Sequence, residues 1–220
     1  MPGHRFLTAL RLRIGAGLLQ EPILCPRCDK QILDTVCSHA LCCAPGESTR
    51  GHNRTRDSVL NLVHVADPCS GLEVPGLIPN APMLRPADIY TEVALPGYHA
   101  ALDIGICSPD ATGAGNDCCE SMYIRKMDTY AVHLESMASR NLRYKPLVLS
   151  CFGRPHPESH NTPELIAMQA ARRHGTADHR AILRRAMTNI TTEIWKRAAS
   201  MVHSCMPNLD VETLAILDGS

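Results

Sequence analysis

Two acidic residues stand in stretches that are otherwise apolar, and this placement constrains the fold more than any other feature of the chain. Asp103 is the only charged residue at positions 100–107, whose other residues predict a strand buried within a sheet. Asp88 opens an alternating segment at 88–95, and the Pro-Gly pair after it predicts a hairpin between the two strands. Because burying an unpaired carboxylate costs several kcal/mol, each of them needs a positive partner.

A divalent cation shared by both carboxylates is one such partner. Neighbouring strands lie about 5 Å apart, so Asp88 and Asp103 are within reach of one Mg²⁺, which prefers carboxylate oxygens. Lys126 follows on or beside the apolar face of a helical pattern, where its amine can orient a water molecule or neutralise negative charge. Two carboxylates, a lysine and a divalent metal are the groups that phosphodiester hydrolysis requires.

A structural alternative explains the same residues without chemistry. Asp103 then pairs with an arginine such as Arg85. Asp88 merely starts a strand and accepts turn hydrogen bonds, and Lys126 extends from a helix surface.

The periodicity predicts an α/β fold, a small mixed sheet flanked by helices. Helices are expected at 5–19, 52–67, 119–137, 163–174 and 178–205, with a turn-rich joint at 46–51. Strands are expected at 88–95, 100–107 and 144–152, with a short one at 72–74. The predicted segments are an amphipathic helix (1–20), a zinc knuckle (21–45), a core (46–160) and C-terminal helices (161–220).

The eleven cysteines favour a metal site, because the count is odd and five of them lie between positions 25 and 43. A CxxC pair followed by His-x3-Cys predicts a structural zinc site in a reducing, intracellular compartment. Cys42 can replace the last ligand, and Cys37 is a further candidate. The alternative is a loop of reduced cysteines that bind no metal. The predicted ligands are Cys25, Cys28, His39 and Cys43.

Positive and negative side chains balance at 22 each, so any nucleic-acid binding has to come from a local patch. The strongest basic cluster lies in the two C-terminal helices, where it is suited to contact DNA phosphates. A solvated helix face explains the cluster equally well. No apolar run approaches the roughly 20 residues of a membrane span, so no membrane partner is expected. The cluster comprises Arg172, Arg173, Arg180, Arg184 and Arg185.

The order of these motifs resembles the C-terminal region of open reading frames from site-specific non-LTR retrotransposons of the restriction-like-endonuclease type. The resemblance covers residues 21–153. It depends on the zinc knuckle, the run His52-Asn53-Arg54-Thr55-Arg56-Asp57, the run Arg85-Pro86-Ala87-Asp88, the run Leu102-Asp103-Ile104-Gly105-Ile106-Cys107-Ser108-Pro109, and Lys126 with Tyr130 four positions later.

The resemblance implies a PD-(D/E)XK restriction-endonuclease-like core and assigns its residues. Asp88 matches the first aspartate and Asp103 the second acidic residue of the motif. Gly105 stands where the motif usually has its lysine, and Lys126 matches the displaced lysine of these retrotransposon nucleases. Glu73 matches an additional Mg²⁺ ligand of some members. The resemblance gives supporting positions to His52, Asp57 and Tyr130.

The implied activity is a Mg²⁺-dependent nick in DNA that primes reverse transcription. The implied partners are DNA, with the element's RNA as a further candidate, and the reverse transcriptase region of a parent polyprotein. No reverse transcriptase motif occurs in these 220 residues, so we expect a fragment, a truncated element's product or a domesticated derivative, acting in the nucleus. Two alternatives stay open: an inactive nucleic-acid-binding module on a decayed nuclease fold, and a zinc-stabilised interaction domain.

Overall fold

The computed structural model describes residues 1–206 and 208–209, so the end of the predicted segment 161–220 lies outside the described residues. The helices are α1 (Gly3–Ile14), α2 (Ala40–Cys43), α3 (Pro45–Ala66), α4 (Cys118–Tyr130), α5 (Leu134–Ala138), α6 (Pro157–His160), α7 (Thr162–Arg173) and α8 (His179–Cys205). The strands are β1 (Ile23–Leu24), β2 (Ile32–Leu33), β3 (Gly71–Leu72), β4 (Ile89–Thr91), β5 (His99–Cys107) and β6 (Leu142–Ser150).

A four-stranded mixed sheet forms the centre of the molecule, with the strand order β3-β4-β5-β6. Strands β4 and β5 form the predicted antiparallel hairpin, in which Ile89 is opposite Leu102. Continuing that register by one residue brings Asp88 opposite Asp103. Strands β5 and β6 are parallel along all nine residues of each, and α4 and α5 form the connection between them.

Helices cover both faces of this sheet. On one face, Leu102 and Ile104 of β5 pack against α3, α7 and α8. On the other face, Ala101 packs against Met137 of α5, and Cys107 packs against the start of α4. Because side chains alternate along a strand, Asp103 lies on the second face, beneath α4. The small sheet flanked by helices confirms the coarse prediction of the fold class.

The N-terminal segment packs on the far end of α8. A second, two-stranded sheet, β1-β2, and the short helix α2 bring together the cysteines of residues 21–45. Leu18, Leu33 and Leu41 bury this segment against Met201 and Val202 of α8. None of the helices among the described residues is both long and apolar enough to span a membrane.

The predicted joint at 46–51 is wrong, since these residues form the first turns of α3. Pro45 occupies the first helical position, where its fixed φ favours helix formation. Gly51 is tolerated in the helix because the side chain of Arg197 lies against it. A Cβ atom at Gly51 would be 2.3 Å from the Cγ of Arg197.

Other element boundaries also differ from the prediction, and three of the differences have a clear local description. Helix α1 ends at Ile14 because Gly15 adopts a left-handed conformation with φ of 70°. Strand β4 stops at Thr91 because the Asp67 carboxylate accepts hydrogen bonds from the Thr91 hydroxyl (2.6 Å) and the Glu92 amide (2.9 Å). The single helix predicted for 119–137 is divided into α4 and α5 by a 3₁₀ turn.

Candidate functional site

Four metal-ligating side chains converge in the N-terminal segment. The ligand atoms of Cys25, Cys28, His39 and Cys43 all lie within 4.8 Å of one another. The Sγ atoms of Cys25 and Cys43 are 3.8 Å apart, and Cys28 Sγ is 3.4 Å from His39 Nε2. Tetrahedral zinc, with bonds of about 2.3 Å to sulfur and about 2.0 Å to nitrogen, separates such ligands by about 3.5–3.8 Å. The four residues therefore form a possible zinc site.

Tight backbone turns position these ligands. The β1-β2 hairpin holds Cys25 and Cys28 through hydrogen bonds from the Cys25 amide to the Gln31 carbonyl and from the Asp29 amide to the Cys25 carbonyl. Amide hydrogen bonds from Lys30 and Gln31, with a smaller contribution from His39, lower the pKa of Cys28 to about 6. At Cys28 the thiolate that a metal requires is thus favoured, whereas burial raises the pKa of Cys43 to about 12.

Helix α2 decides which of two adjacent cysteines joins the group. Cys43, its last residue, belongs to the converging set, whereas its neighbour Cys42 is exposed and does not. Cys37 is buried but also lies outside the set. The alternative fourth ligands are therefore not brought into the site.

The second site, which we call the acidic centre, contains Asp88, Asp103 and Lys126. The Nζ atom of Lys126 lies 2.7 Å from Oδ1 of Asp103, and both side chains are less than one fifth exposed. The Tyr144 hydroxyl donates a hydrogen bond to the other oxygen, Oδ2. Both oxygens of Asp103 therefore have a partner, and the alternative pairing with Arg85 is wrong.

Asp88 is fixed directly beside Asp103. Its Oδ2 accepts a 2.7 Å hydrogen bond from the amide of Ile104, the residue that follows Asp103. Its Oδ1 lies 3.2 Å from Nε2 of His52, which projects from α3. With the hairpin register, these contacts place both carboxylates at one point of the sheet.

The two carboxylates are shifted in opposite directions. Burial raises the pKa of Asp103, and the negative charge of Asp88 adds to this, while Lys126 and Tyr144 only partly oppose it. Burial also acts to raise the pKa of Asp88, but the hydrogen bond and charge of His52, the Ile104 amide and Lys126 together lower it. Two adjacent carboxyl groups with separated pKa values are typical of functional sites.

Gly105 makes room for the lysine. A Cβ atom at this position would lie 2.8 Å from Cε of Lys126 and 3.3 Å from Cγ of Met122. Any side chain at 105 would therefore force the end of the Lys126 side chain to shift. The amine reaches the carboxylate from α4 because the strand position two residues after the acid is empty.

Tyr130 and Glu73 are the two other residues predicted for the acidic centre, and they differ in their distance from its carboxylates. The Tyr130 ring lies 4.8 Å from the Tyr144 ring, between centroids, and its hydroxyl donates to the Arg85 carbonyl. The Glu73 amide donates to the Asp88 carbonyl, but the Glu73 carboxylate is bound by Arg56 (3.3 Å) and Arg85 (3.0 Å).

Asp57 and the basic cluster are not brought to the acidic centre. The Asp57 carboxylate pairs with its neighbour Arg56, at 2.9 Å, on the exposed side of α3. All five arginines of the basic cluster are exposed and form no ion pair within the described part of the chain. They lie on α7 and α8, which cover the sheet face opposite Asp103.

Tyr144 is the residue of the centre that the sequence analysis missed. It lies on the same sheet face as Asp103, because Ala101 is paired with Tyr144 and Asp103 with Pro146 in the β5-β6 register. Alternation along β6 was the available signal. This alternation identifies Tyr144 only if the register between β5 and β6 is known, and these strands are separated by 34 residues of sequence.

Comparison with known proteins does not decide what these two sites do. No protein-family model matches the chain, and no curated protein matches it in sequence. The chain is therefore described by its own geometry, as a mixed α/β protein with a cysteine-histidine cluster and a buried acidic centre.

Proposed function

We propose that this chain is a metal-dependent DNA endonuclease with a restriction-like core, derived from a site-specific non-LTR retrotransposon. The observation that carries the proposal is the contact between Lys126 and Asp103 in the space left by Gly105, with Asp88 adjacent. A nuclease needs this combination of an amine and paired carboxylates.

The donor chemistry of the acidic centre fits Mg²⁺. Asp88 and Asp103 would hold the ion, since carboxylate oxygens are its preferred protein ligands, and Glu73 would have to leave one of its arginines to take part. When bound, Mg²⁺ supplies a Lewis acid for the phosphate oxygens and lowers the pKa of a coordinated water.

The protein's own groups have positioning and electrostatic roles in this proposal. Lys126 holds a positive charge beside the phosphate and a donor for the attacking water. His52 and Tyr144 fix the orientation of the Asp88 and Asp103 carboxylates through the hydrogen bonds described above. Preorganised carboxylates do not have to reorient when the substrate arrives.

The proposed substrate is DNA, and the nick would prime reverse transcription in the nucleus by a reverse transcriptase region of a parent polyprotein. The element's RNA is a second candidate ligand. The zinc site and the exposed arginines of α7 and α8 would bind the nucleic acid. Because α7 and α8 lie behind the sheet, a duplex that touched both the arginines and the acidic centre would have to pass around a sheet edge.

A plasmid-nicking assay tests the proposal. Wild-type protein with supercoiled plasmid and Mg²⁺ should give open circles, EDTA should prevent this, and Asp103→Asn should reduce nicking by at least about 100-fold. Asp128→Asn is the matched control, since Asp128 is exposed on α4 near Lys126. Equal nicking by the wild type and Asp103→Asn would remove the enzymatic proposal.

A second function, a nucleic-acid-binding module without catalysis, is favoured by one observation. Each carboxylate of the acidic centre already has a positive or hydrogen-bonding partner, Lys126 for Asp103 and His52 for Asp88, so neither is left without a partner in the absence of a metal. This function predicts DNA binding that falls steeply with salt, and no nicking at any Mg²⁺ concentration.

A further inference from the structure

Three more cysteines, which belong to neither of the two sites above, meet in the interior. The Sγ atoms of Cys107, Cys118 and Cys119 lie within 4.8 Å of one another, and those of Cys107 and Cys119 are 3.6 Å apart. All three are buried, Cys119 completely. We call them the three-cysteine cluster. They lie where the end of β5 meets the start of α4.

We propose that the three-cysteine cluster binds one thiophilic metal ion, Zn²⁺ or Cu⁺, at a second metal site independent of the zinc knuckle. Two thiolates on a tetrahedral zinc ion, at about 2.3 Å each, are about 3.8 Å apart. The observed 3.6 Å is close to this distance, and soft thiolate ligands select these two ions. The inference does not depend on the proposed nuclease activity.

The surroundings can stabilise the negative charge that such a site carries. Cys118 is the first residue of the 13-residue helix α4, and thiolates are stabilised at helix N-termini. Arg154 adds a positive side chain close by. Its carbonyl accepts the Cys119 thiol and its guanidinium pairs with Asp117, the residue before α4. Three thiolates and a divalent ion carry net charge −1 at this helix N-terminus, where the Arg154 guanidinium is already paired with the Asp117 carboxylate.

The cluster also has room for a further ligand. A cavity of about 220 Å³ is lined by Cys107 and Cys118, together with Ser121, Met122 and Arg125. The Met122 side chain packs against the buried cluster that contains the three cysteines, but its sulfur accepts a 2.8 Å hydrogen bond from Arg125, so a water molecule is the simpler fourth ligand. Cysteines that serve only as core residues need neither the mutual contact nor an adjacent cavity.

Binding has a defined proton balance. In the metal-free protein the Cys107 thiol donates to the Leu149 carbonyl and the Cys119 thiol to the Arg154 carbonyl. One metal ion and three thiols give three metal-sulfur bonds and three released protons. Both carbonyl hydrogen bonds are broken in the process, so the site fills only when the new bonds exceed them in strength.

The test counts bound metal in protein prepared without oxygen and reloaded separately with Zn²⁺ or Cu⁺. The wild-type protein should bind two ions per chain when it is loaded with a metal that fits both sites. The double variant Cys107→Ala/Cys119→Ala should bind one, and so should the knuckle variant Cys28→Ser. Cys69→Ser, which changes an exposed cysteine outside both groups, should still bind two. Two Zn²⁺ ions in the wild type identify zinc, whereas a second ion that appears only with Cu⁺ identifies copper.

One ion in the wild type with either metal, lost in Cys28→Ser and kept in the double variant, would overturn the proposal. The double variant changes buried residues, so a second measurement avoids dependence on its folding. The ¹¹³Cd NMR spectrum of wild-type protein loaded with cadmium should contain two resonances, one for three sulfurs with a histidine and one for sulfur ligands without nitrogen. A single resonance would contradict the second site.

Discussion

The Lys126 side chain passes over Gly105 to reach the Asp103 carboxylate. Its Nζ atom is 2.7 Å from the carboxylate, and its Cε atom occupies the space where a side chain at position 105 would begin. The helix and the strand therefore each contribute one part of this ion pair. The strand provides the carboxylate and the vacant position, and α4 provides the amine.

Replacing Lys126 by methionine should abolish most of the nicking while DNA affinity stays the same. The variant keeps the apolar part of the side chain and removes only the charge, so the loss, about 100-fold or more, reports the role of the amine in the reaction. Lys196→Met is a matched control, because Lys196 forms a surface ion pair with Glu193 on α8. If Lys126→Met and Lys196→Met nick plasmid equally fast, the amine has no catalytic role.

Gly105→Ala should displace Lys126 without changing any charged group. A methyl group would lie 2.8 Å from Cε of Lys126, so the side chain has to shift, at a cost in unfolding free energy of about 1–3 kcal/mol. The nicking rate should fall by more than the decrease in folded protein explains, because the amine leaves its position beside the carboxylate. Gly46→Ala is the control, since its Cβ meets only the end of the Arg50 side chain at 3.7 Å. Full activity in Gly105→Ala would show that the position of Lys126 is unimportant.

The hairpin and the pair of acids were predictable because they depend on local signals. Alternation and the Pro-Gly turn identify β4 and β5, and the register that follows brings Asp88 opposite Asp103. The CxxC spacing likewise predicts the knuckle ligands. These features require contacts only between residues that are close in sequence.

Features that depend on distant contacts were not predictable. In the first turns of α3, which begins at Pro45, Gly51 lies against Arg197, and these two residues are 146 positions apart. Tyr144 enters the acidic centre only through the parallel β5-β6 register. The three-cysteine cluster combines the end of β5 with a helix that follows a loop, so spacing along the chain gave no sign of it.

The lowered pKa of Asp88 predicts a loss of stability in acid. The folded protein binds its proton more weakly than the unfolded chain, whose aspartate pKa is about 3.9. The group therefore contributes to stability above about pH 4, and the contribution is lost as the pH falls through the folded pKa. With EDTA present, the unfolding free energy of the wild type should fall more between pH 5 and 3 than that of Asp88→Asn. Parallel curves for the two proteins would contradict the assignment.

If zinc binds at the possible site, removing one of its ligands should unfold the N-terminal segment. In Cys43→Ser the metal loses one of four ligands, so the melting temperature should fall and amide exchange should rise at residues 21–45. Cys42→Ser is an unusually close control, because it changes the adjacent cysteine, which is exposed and outside the converging group. If the two variants melt alike and exchange alike, Cys43 is not a ligand.

The five exposed arginines of α7 and α8 provide the last test, which separates a DNA-binding surface from a solvated one. If Arg184 and Arg185 each contact a phosphate, the variant Arg184→Ala/Arg185→Ala should reduce the slope of log K against log salt by about 2 for duplex DNA. Arg13→Ala, at the end of α1, serves as the comparison for a change in net charge alone. Since no ion pair holds the α7 and α8 arginines in the described structure, their removal should leave the melting temperature nearly unchanged. An unchanged slope would mean that Arg184 and Arg185 contact no phosphate and that this face points to solvent.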